Sequence, residues 1–196
     1  FIHSWSVEHS SGLKELYKPK KALIEPQKDF NYRFNIGGYK GPSAFESVRF
    51  FSMFSRWYST QQVNMLKQQF EREQNFKYDF VLLTRFDLAY IRNFNFSDYD
   101  KNNFYVMGPD GGPHIGFNDL WFFSSSKNMD IFCNLYDYIK NKRNFDHKHQ
   151  HNHFFARKYV VDTGLYEKVK FIFNRPWNDT YHKMESNPTP LVRDYY

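Results

Sequence analysis

Asp87 stands just beyond the continuous apolar run Val81-Leu82-Leu83, inside the segment Thr84-Arg85-Phe86-Asp87-Leu88. A carboxylate at the carboxyl end of a buried strand can hold a hard divalent cation, and that cation can neutralise a diphosphate. Arg85, two positions earlier, carries a planar fork of donors that matches phosphate oxygens. The same spacing also lets Arg85 and Asp87 pair with each other and merely close the strand end. Asp119 is the second carboxylate of interest. It follows the Gly/Pro-rich stretch from Gly108 to Gly116 and precedes Leu120-Trp121-Phe122-Phe123. A carboxylate so placed can take a proton from a reacting group, or it can cap a turn together with Asn118.

His147, His149, His151 and His153 alternate with other residues, a spacing that metal tracts share. On a strand all four occupy one face, whereas on a helix each step rotates by about 200° and only some converge. A structural zinc site asks for four closed ligands, and the competing reading is a solvated helix start. Lys14, Lys18, Lys20, Lys21 and Lys28 form the densest basic patch, either a phosphate-binding surface or a solvated loop. The single cysteine, Cys133, cannot form an internal disulfide, which suits a reducing compartment such as the cytoplasm. No G-x-x-x-x-G-K-[ST], G-x-G-x-x-G, G-x-S-x-G or H-E-x-x-H occurs, which argues against P-loop NTPases, dinucleotide oxidoreductases, elbow-type serine hydrolases and zincins.

The elements that must position these groups follow from hydrophobic period and punctuation. Phe1–Trp5 and Ala22–Ile24 read as short strands on either side of a Lys/Pro segment. A long helix is predicted from Ser43 to about Asn75, with Phe45, Val48, Phe51, Phe54, Tyr58, Leu66 and Phe70 as its apolar stripe and Glu46 at capping-box spacing from Ser43. Tyr78–Thr84 reads as a strand buried on both faces. Phe104–Met107 and Leu120–Phe123 are further strands, and Ser126 caps a helix that carries Met129, Ile131, Phe132, Leu135, Tyr136 and Ile139. Another helix spans about Gln150 to Val161, Val169–Phe173 is a late strand, and residues 175–196 form an irregular tail. Strands alternating with helices predict an α/β domain whose mostly parallel sheet is covered on both faces, with ligands beyond the carboxyl ends of its strands. No Pro/Gly/Ser-rich linker divides the chain, so residues 1–196 read as one domain.

Composition sets the class. Of 196 residues, 23 are Phe, 15 Tyr and 4 Trp, so 21% are aromatic. A disordered chain lacks such residues, so this one folds. No apolar stretch is long enough to span a bilayer as a helix. The net charge of +6 attracts phosphate-bearing partners.

The opening Phe1-Ile2-His3-Ser4-Trp5, the segment Lys20-Lys21-Ala22-Leu23-Ile24-Glu25-Pro26-Gln27, the helix with Ser52-Met53-Phe54, and the run from Tyr78 to Asp87 together resemble nucleotide-sugar glycosyltransferase domains. The similar domains occur in large DNA viruses and bacterial polysaccharide clusters, and Asn118 to Met129 resembles a second recurring segment of that group. The likeness covers roughly residues 1–140. It implies a GT-A fold, a three-layer sandwich around a Rossmann-like sheet, with a D-x-D motif for a divalent metal and the sugar-nucleotide diphosphate. On that resemblance Asp87 takes the place of the second motif carboxylate, and Arg85 stands where the first would be. It further implies Mn²⁺ or Mg²⁺ as cofactor, with His182, or one of the alternating histidines, as another ligand beside Asp87. His3, Ser4 and Trp5 would lie near the base or ribose of the donor, although Trp5 also fits a core position. Asp119 would be the general base of an inverting transfer, or would orient the donor sugar in a retaining one. Because such domains begin with an earlier strand and helix and this chain begins with Phe rather than Met, a piece of a longer chain is expected.

The expected activity is therefore transfer of a hexose or pentose from a nucleotide-diphosphate donor, UDP-linked by expectation, to a glycan or glycoprotein hydroxyl. The cell or host cytoplasm is the expected place, with no nucleic-acid partner and no transmembrane segment. Two other classes compete: a single-stranded nucleic-acid-binding module, which shares the basic and aromatic composition, and a carbohydrate-binding domain of the same fold without turnover.

Overall fold

The computed structural model describes residues 1–30, 44–90, 95–110, 116–141, 152–172 and 191–193. These gather into two compact units, one of residues 1–77 with 130–151 and one of residues 78–129 with 152–196.

In the first unit, β1 (Ile2–Ser4) and β2 (Ala22–Ile24) pair in parallel, Ile2 opposite Ala22 and Ser4 opposite Ile24. The Lys/Pro segment between them, expected to be loop, contains a helix, α1 (Ser10–Tyr17), which ends where Lys18 takes a left-handed conformation at φ 42°. No residue of α1 is buried, although Leu13, Leu16 and Tyr17 stand at helical spacing on it.

The long helix is α2 (Ala44–Glu73), within two residues of expectation at each end. Ser43, the expected cap, lies outside the described residues. Met53, Phe54 and Trp57 are buried as the apolar period requires. Beyond Trp57 the inward face continues at helical spacing through Thr60, Gln61, Asn64, Lys67 and Glu71, all buried, whereas Leu66 and Phe70 are only half-buried. The expected stripe thus gives way to polar side chains that face partners. Lys67 Nζ lies 2.6 Å from Asp130 Oδ1 and 3.3 Å from Glu71 Oε2. Asn64 donates to Asp130 Oδ1 and Gln61 to Asp137 Oδ2. Buried charge survives only when paired in this way.

The single helix expected after Ser126 is two: α3 (Ser126–Phe132) and α4 (Leu135–Asn141). Asn134 causes the break, because its side-chain amide donates to the Asp130 carbonyl at 3.1 Å and so competes with the helical ladder. Within the first unit, Trp57 meets Phe132 edge-on and Phe54 and Tyr58 meet Tyr136.

The second unit is built on a four-stranded sheet in the order β3 (Val81–Leu83), β8 (Phe122–Ser124), β5 (Phe104–Val106), β9 (Val169–Phe171). β8 is antiparallel to both β3 and β5, and β5 is parallel to β9. Three strands therefore share one direction, but the reversed strand lies inside, and the sheet is mixed rather than mostly parallel. β3 is an edge strand in it. Val81 and Leu82 are half-buried and only Leu83 is buried, against the expectation of burial on both faces. Tyr105 and Phe123, opposite each other on β5 and β8, stack with centroids 4.4 Å apart. With Leu88, Met107, Leu120 and Trp121 they form one apolar cluster.

Two strand pairs and a helix complete the described part of this unit. β4 (Leu88–Tyr90) pairs antiparallel with β10 (Leu191–Arg193), so three residues of the expected irregular tail form a strand. β6 (Pro109–Asp110) and β7 (Gly116–Phe117) form an antiparallel pair, and residues 111–115 lie outside the described residues. α5 (Asn152–Asp162) is the late helix. No helix among the described residues is long and apolar enough to cross a membrane.

Candidate functional site

The turn after β3 carries Arg85, Phe86 and Asp87 into β4. Arg85 Nε donates to Asp87 Oδ1 at 2.8 Å and its Nη2 to Asp87 Oδ2 at 2.5 Å. That bidentate fork is the pairing Arg85 could equally have offered to phosphate. Phe86, between them, is half exposed. Burial works against the charge on Arg85, but the Asp87 bonds and the charges of Asp119 and Asp87 outweigh it, and its pKa is raised. Arg85 therefore feels two carboxylates that come from different segments.

The apolar cluster explains why those segments converge. Asp87 directly precedes Leu88, and Asp119 directly precedes Leu120 and Trp121. All three apolar residues belong to the same cluster, so burying them carries both carboxylates to one region. Asp119 itself is buried, its side chain 7% exposed. The turn around it is held by its neighbour: Asn118 Oδ1 accepts from the Leu120 N–H, and the Asn118 N–H donates to the Gly108 carbonyl. Asn118 thus makes the turn expected of the pair, while the Asp119 carboxylate lies toward His153 and its charge acts on Arg85.

His153 occupies the first turn of α5, with Nε2 3.7 Å from Asp119 Oδ1. Gly116 on β7 makes this possible, because a Cβ there would lie 2.8 Å from both the carbonyl carbon and the Cβ of His153. Of the four alternating histidines, His147, His149 and His151 lie outside the described residues. The spacing pointed to a solvated helix start or a metal tract. Neither reading identified the pairing of His153 with Asp119.

The metal expected at Asp87 meets an obstacle in this geometry. Both carboxylate oxygens already accept from Arg85, so a dication there would have to displace the guanidinium. His182 lies outside the described residues, and no group of three His, Cys, Asp or Glu able to hold a metal occurs among the described residues. The donor set at Asp87, as arranged, does not fit Mn²⁺ or Mg²⁺.

His3, Ser4 and Trp5 sit at the carboxyl end of β1 in the first unit. His3 and Ser4 are buried and Trp5 is half-buried. The Ser4 hydroxyl accepts from the Ser6 N–H, and the Trp5 indole donates to Ser55 Oγ while its ring stacks on Tyr58. Trp5 therefore serves packing within this unit. Glu25, the first residue beyond β2, organises the cluster: its Oε1 lies 3.2 Å from His3 Nε2 and accepts from the Tyr58 hydroxyl, and its Oε2 lies 3.4 Å from Lys28 Nζ. Lys28 also stands 4.8 Å from the centre of the Tyr58 ring. Sequence reasoning passed over Glu25, although its position beyond a parallel strand was a usable signal.

No protein-family model matches the chain, and no curated protein matches its sequence.

Proposed function

We propose that the protein is a glycosyltransferase with a Rossmann-like GT-A domain, which moves a sugar from a nucleotide-diphosphate donor, UDP-linked by preference, to a hydroxyl of a glycan or glycoprotein. The observation that carries the reading is Arg85, held in a bidentate pair by Asp87 in the turn between β3 and β4 and under the charge of buried Asp119 from the loop before β8. Transfer from a diphosphate donor needs positive charge at the leaving group and a proton acceptor at the incoming hydroxyl. Arg85 supplies the first and the Asp119 region the second. The fork to Asp87 keeps the planar guanidinium oriented, and a diphosphate competes with Asp87 for its donors. The packing of the aromatic side chains against one another in both units also supports an enzyme core over a single-strand binder, which would display its rings.

Isothermal titration with UDP, with and without Mn²⁺, tests the reading. UDP is expected to bind the unaltered chain, and Arg85→Gln is expected to weaken it by about tenfold or more, the loss of one charge-assisted pair. Absence of heat from the unaltered chain under both conditions would refute the function. Undiminished binding by both Arg85→Gln and Asp87→Ala would refute the site.

A further inference from the structure

We propose that α1 and the lysines at its carboxyl end form a docking face for a membrane surface rich in anionic phospholipid. The inference stands apart from the glycosyl-transfer reading and uses other residues. Leu13, Leu16 and Tyr17 fall within about 100° of one another around α1. Leu16 is 74% exposed and Tyr17 48%, and Val7, in the helical turn just before α1, is 46% exposed. Apolar side chains exposed singly are ordinary, but several on one short segment mark an interaction surface. Lys14 on the flank of that row, and Lys18 and Lys20 just beyond the helix, are exposed beside it. Glu15 lies about 150° from the middle of the row, on the opposite side of the helix.

Charge complementarity selects the occupant. Lys21 is engaged by Glu73, 2.8 Å away, whereas among the described residues Lys14, Lys18 and Lys20 pair with no carboxylate. A second copy of the chain would set these same lysines against themselves, and like charge opposes that contact. A single-stranded nucleic acid gains chiefly from stacked rings, and Tyr17 is the one aromatic residue of α1. A bilayer interface meets both halves of the face at once. Its anionic headgroups attract the lysines, and its acyl boundary takes Leu16 and the body of the Tyr17 ring while the hydroxyl stays at headgroup level. The long lysine stems let the ammonium groups remain in that layer as the leucine goes deeper.

Co-sedimentation with vesicles tests the docking, using phosphatidylcholine alone and equal parts of phosphatidylcholine and phosphatidylserine. The unaltered chain is expected to bind the mixed vesicles about tenfold or more tightly than the neutral ones, and to lose that preference as salt is raised. Lys14→Gln, Lys18→Gln and Lys20→Gln together are expected to weaken binding about 100-fold, each charge counting about fivefold. Leu16→Ser with Tyr17→Ser is expected to weaken it about tenfold. Lys127→Gln, Lys140→Gln and Lys170→Gln remove the same charge from exposed positions elsewhere, and are expected to leave binding within about threefold of the unaltered chain. Equal binding to the two kinds of vesicle, or equal loss in the two lysine triples, would overturn the proposal. Undiminished binding by the serine pair would overturn it too, reducing the face to a patch for any polyanion, nucleic acid included. A dimer in solution that the serine pair dissolves would assign the face to a second copy and overturn it likewise.

Discussion

Gly116 and His153 touch at the backbone: a methyl group added to the glycine would stand 2.8 Å from the histidine's carbonyl carbon and from its Cβ. Packing of β7 against the first turn of α5 therefore requires a residue without a side chain, and the Asp119–His153 pair depends on that packing. Gly116→Ala is expected to cost about 1–3 kcal/mol as an overpacked site. Truncating the His153 side chain does not relieve it, because the backbone carbon is also in the way. Gly12, inside α1, offers the control: nothing lies within 4 Å of its added Cβ, and Gly12→Ala is expected to stabilise by about 0.5–1 kcal/mol. Urea unfolding midpoints compare the two, and equal effects of the same sign would show that β7 and α5 are not in contact.

Lys67 gives the second prediction. Its side chain is 3% exposed and that of Glu71 is fully buried, whereas Lys77, which also pairs with Glu71, is 62% exposed. Lys67→Met leaves Glu71 and Asp130 short of their inner cation, and a loss of about 3–5 kcal/mol is expected. Lys77→Ala removes an exposed partner and is expected to cost no more than about 1 kcal/mol. Chemical denaturation of both variants measures the contrast, and a Lys67→Met chain as stable as the unaltered one would mean the network is solvated.

The third prediction concerns acid. Burial is the largest influence on His3 and lowers its pKa below the ordinary 6.5; Lys28 pushes the same way, and the bond and charge of Glu25 oppose without prevailing. The unfolded chain thus binds this proton at a higher pH than the folded chain. Stability from His3 is complete above pH 6.5 and is lost as pH falls from there toward the depressed folded value. Glu25 adds a second loss at lower pH. Its own burial opposes, but His3, Tyr58 and Lys28 hold its carboxyl below the ordinary 4.5, so its contribution is present above that pH and lost as pH falls through the folded value. Melting temperatures of the unaltered chain are expected to fall on acidification below pH 6.5, and those of His3→Gln to fall less over the first step. Parallel curves for the two chains would show that His3 is not buried neutral.

Much of the secondary structure was legible because it depends on neighbours in sequence. β1, β2, β5, β9 and the bounds of α2 follow from short apolar runs and a helical period. Where reading failed, a distant partner had overruled the local pattern. Asn64, Lys67 and Glu71 look like solvent-facing residues of α2, yet they turn inward because Asp130 receives Asn64 and Lys67 there and Lys67 in turn pairs with Glu71. The helix after Ser126 is the local exception: it looks continuous until the Asn134 side chain takes the Asp130 carbonyl four residues earlier. β3 has the apolar run of a central strand but lies at an edge, since the reversed β8 occupies the interior place.

The candidate site divides along the same line. Residue order alone determined that Arg85 and Asp87 follow an apolar strand and that Asp119 follows a glycine-rich stretch, because strand ends and turns are marked by the residues that form them. Only tertiary packing decided that Arg85 would clasp Asp87, that Asp119 would be buried within reach of that same charge, and that one histidine of an alternating tract would face it. Charges find their partners through the folding of the apolar residues beside them, and Leu88, Leu120 and Trp121 meet only once the chain has closed on a common core.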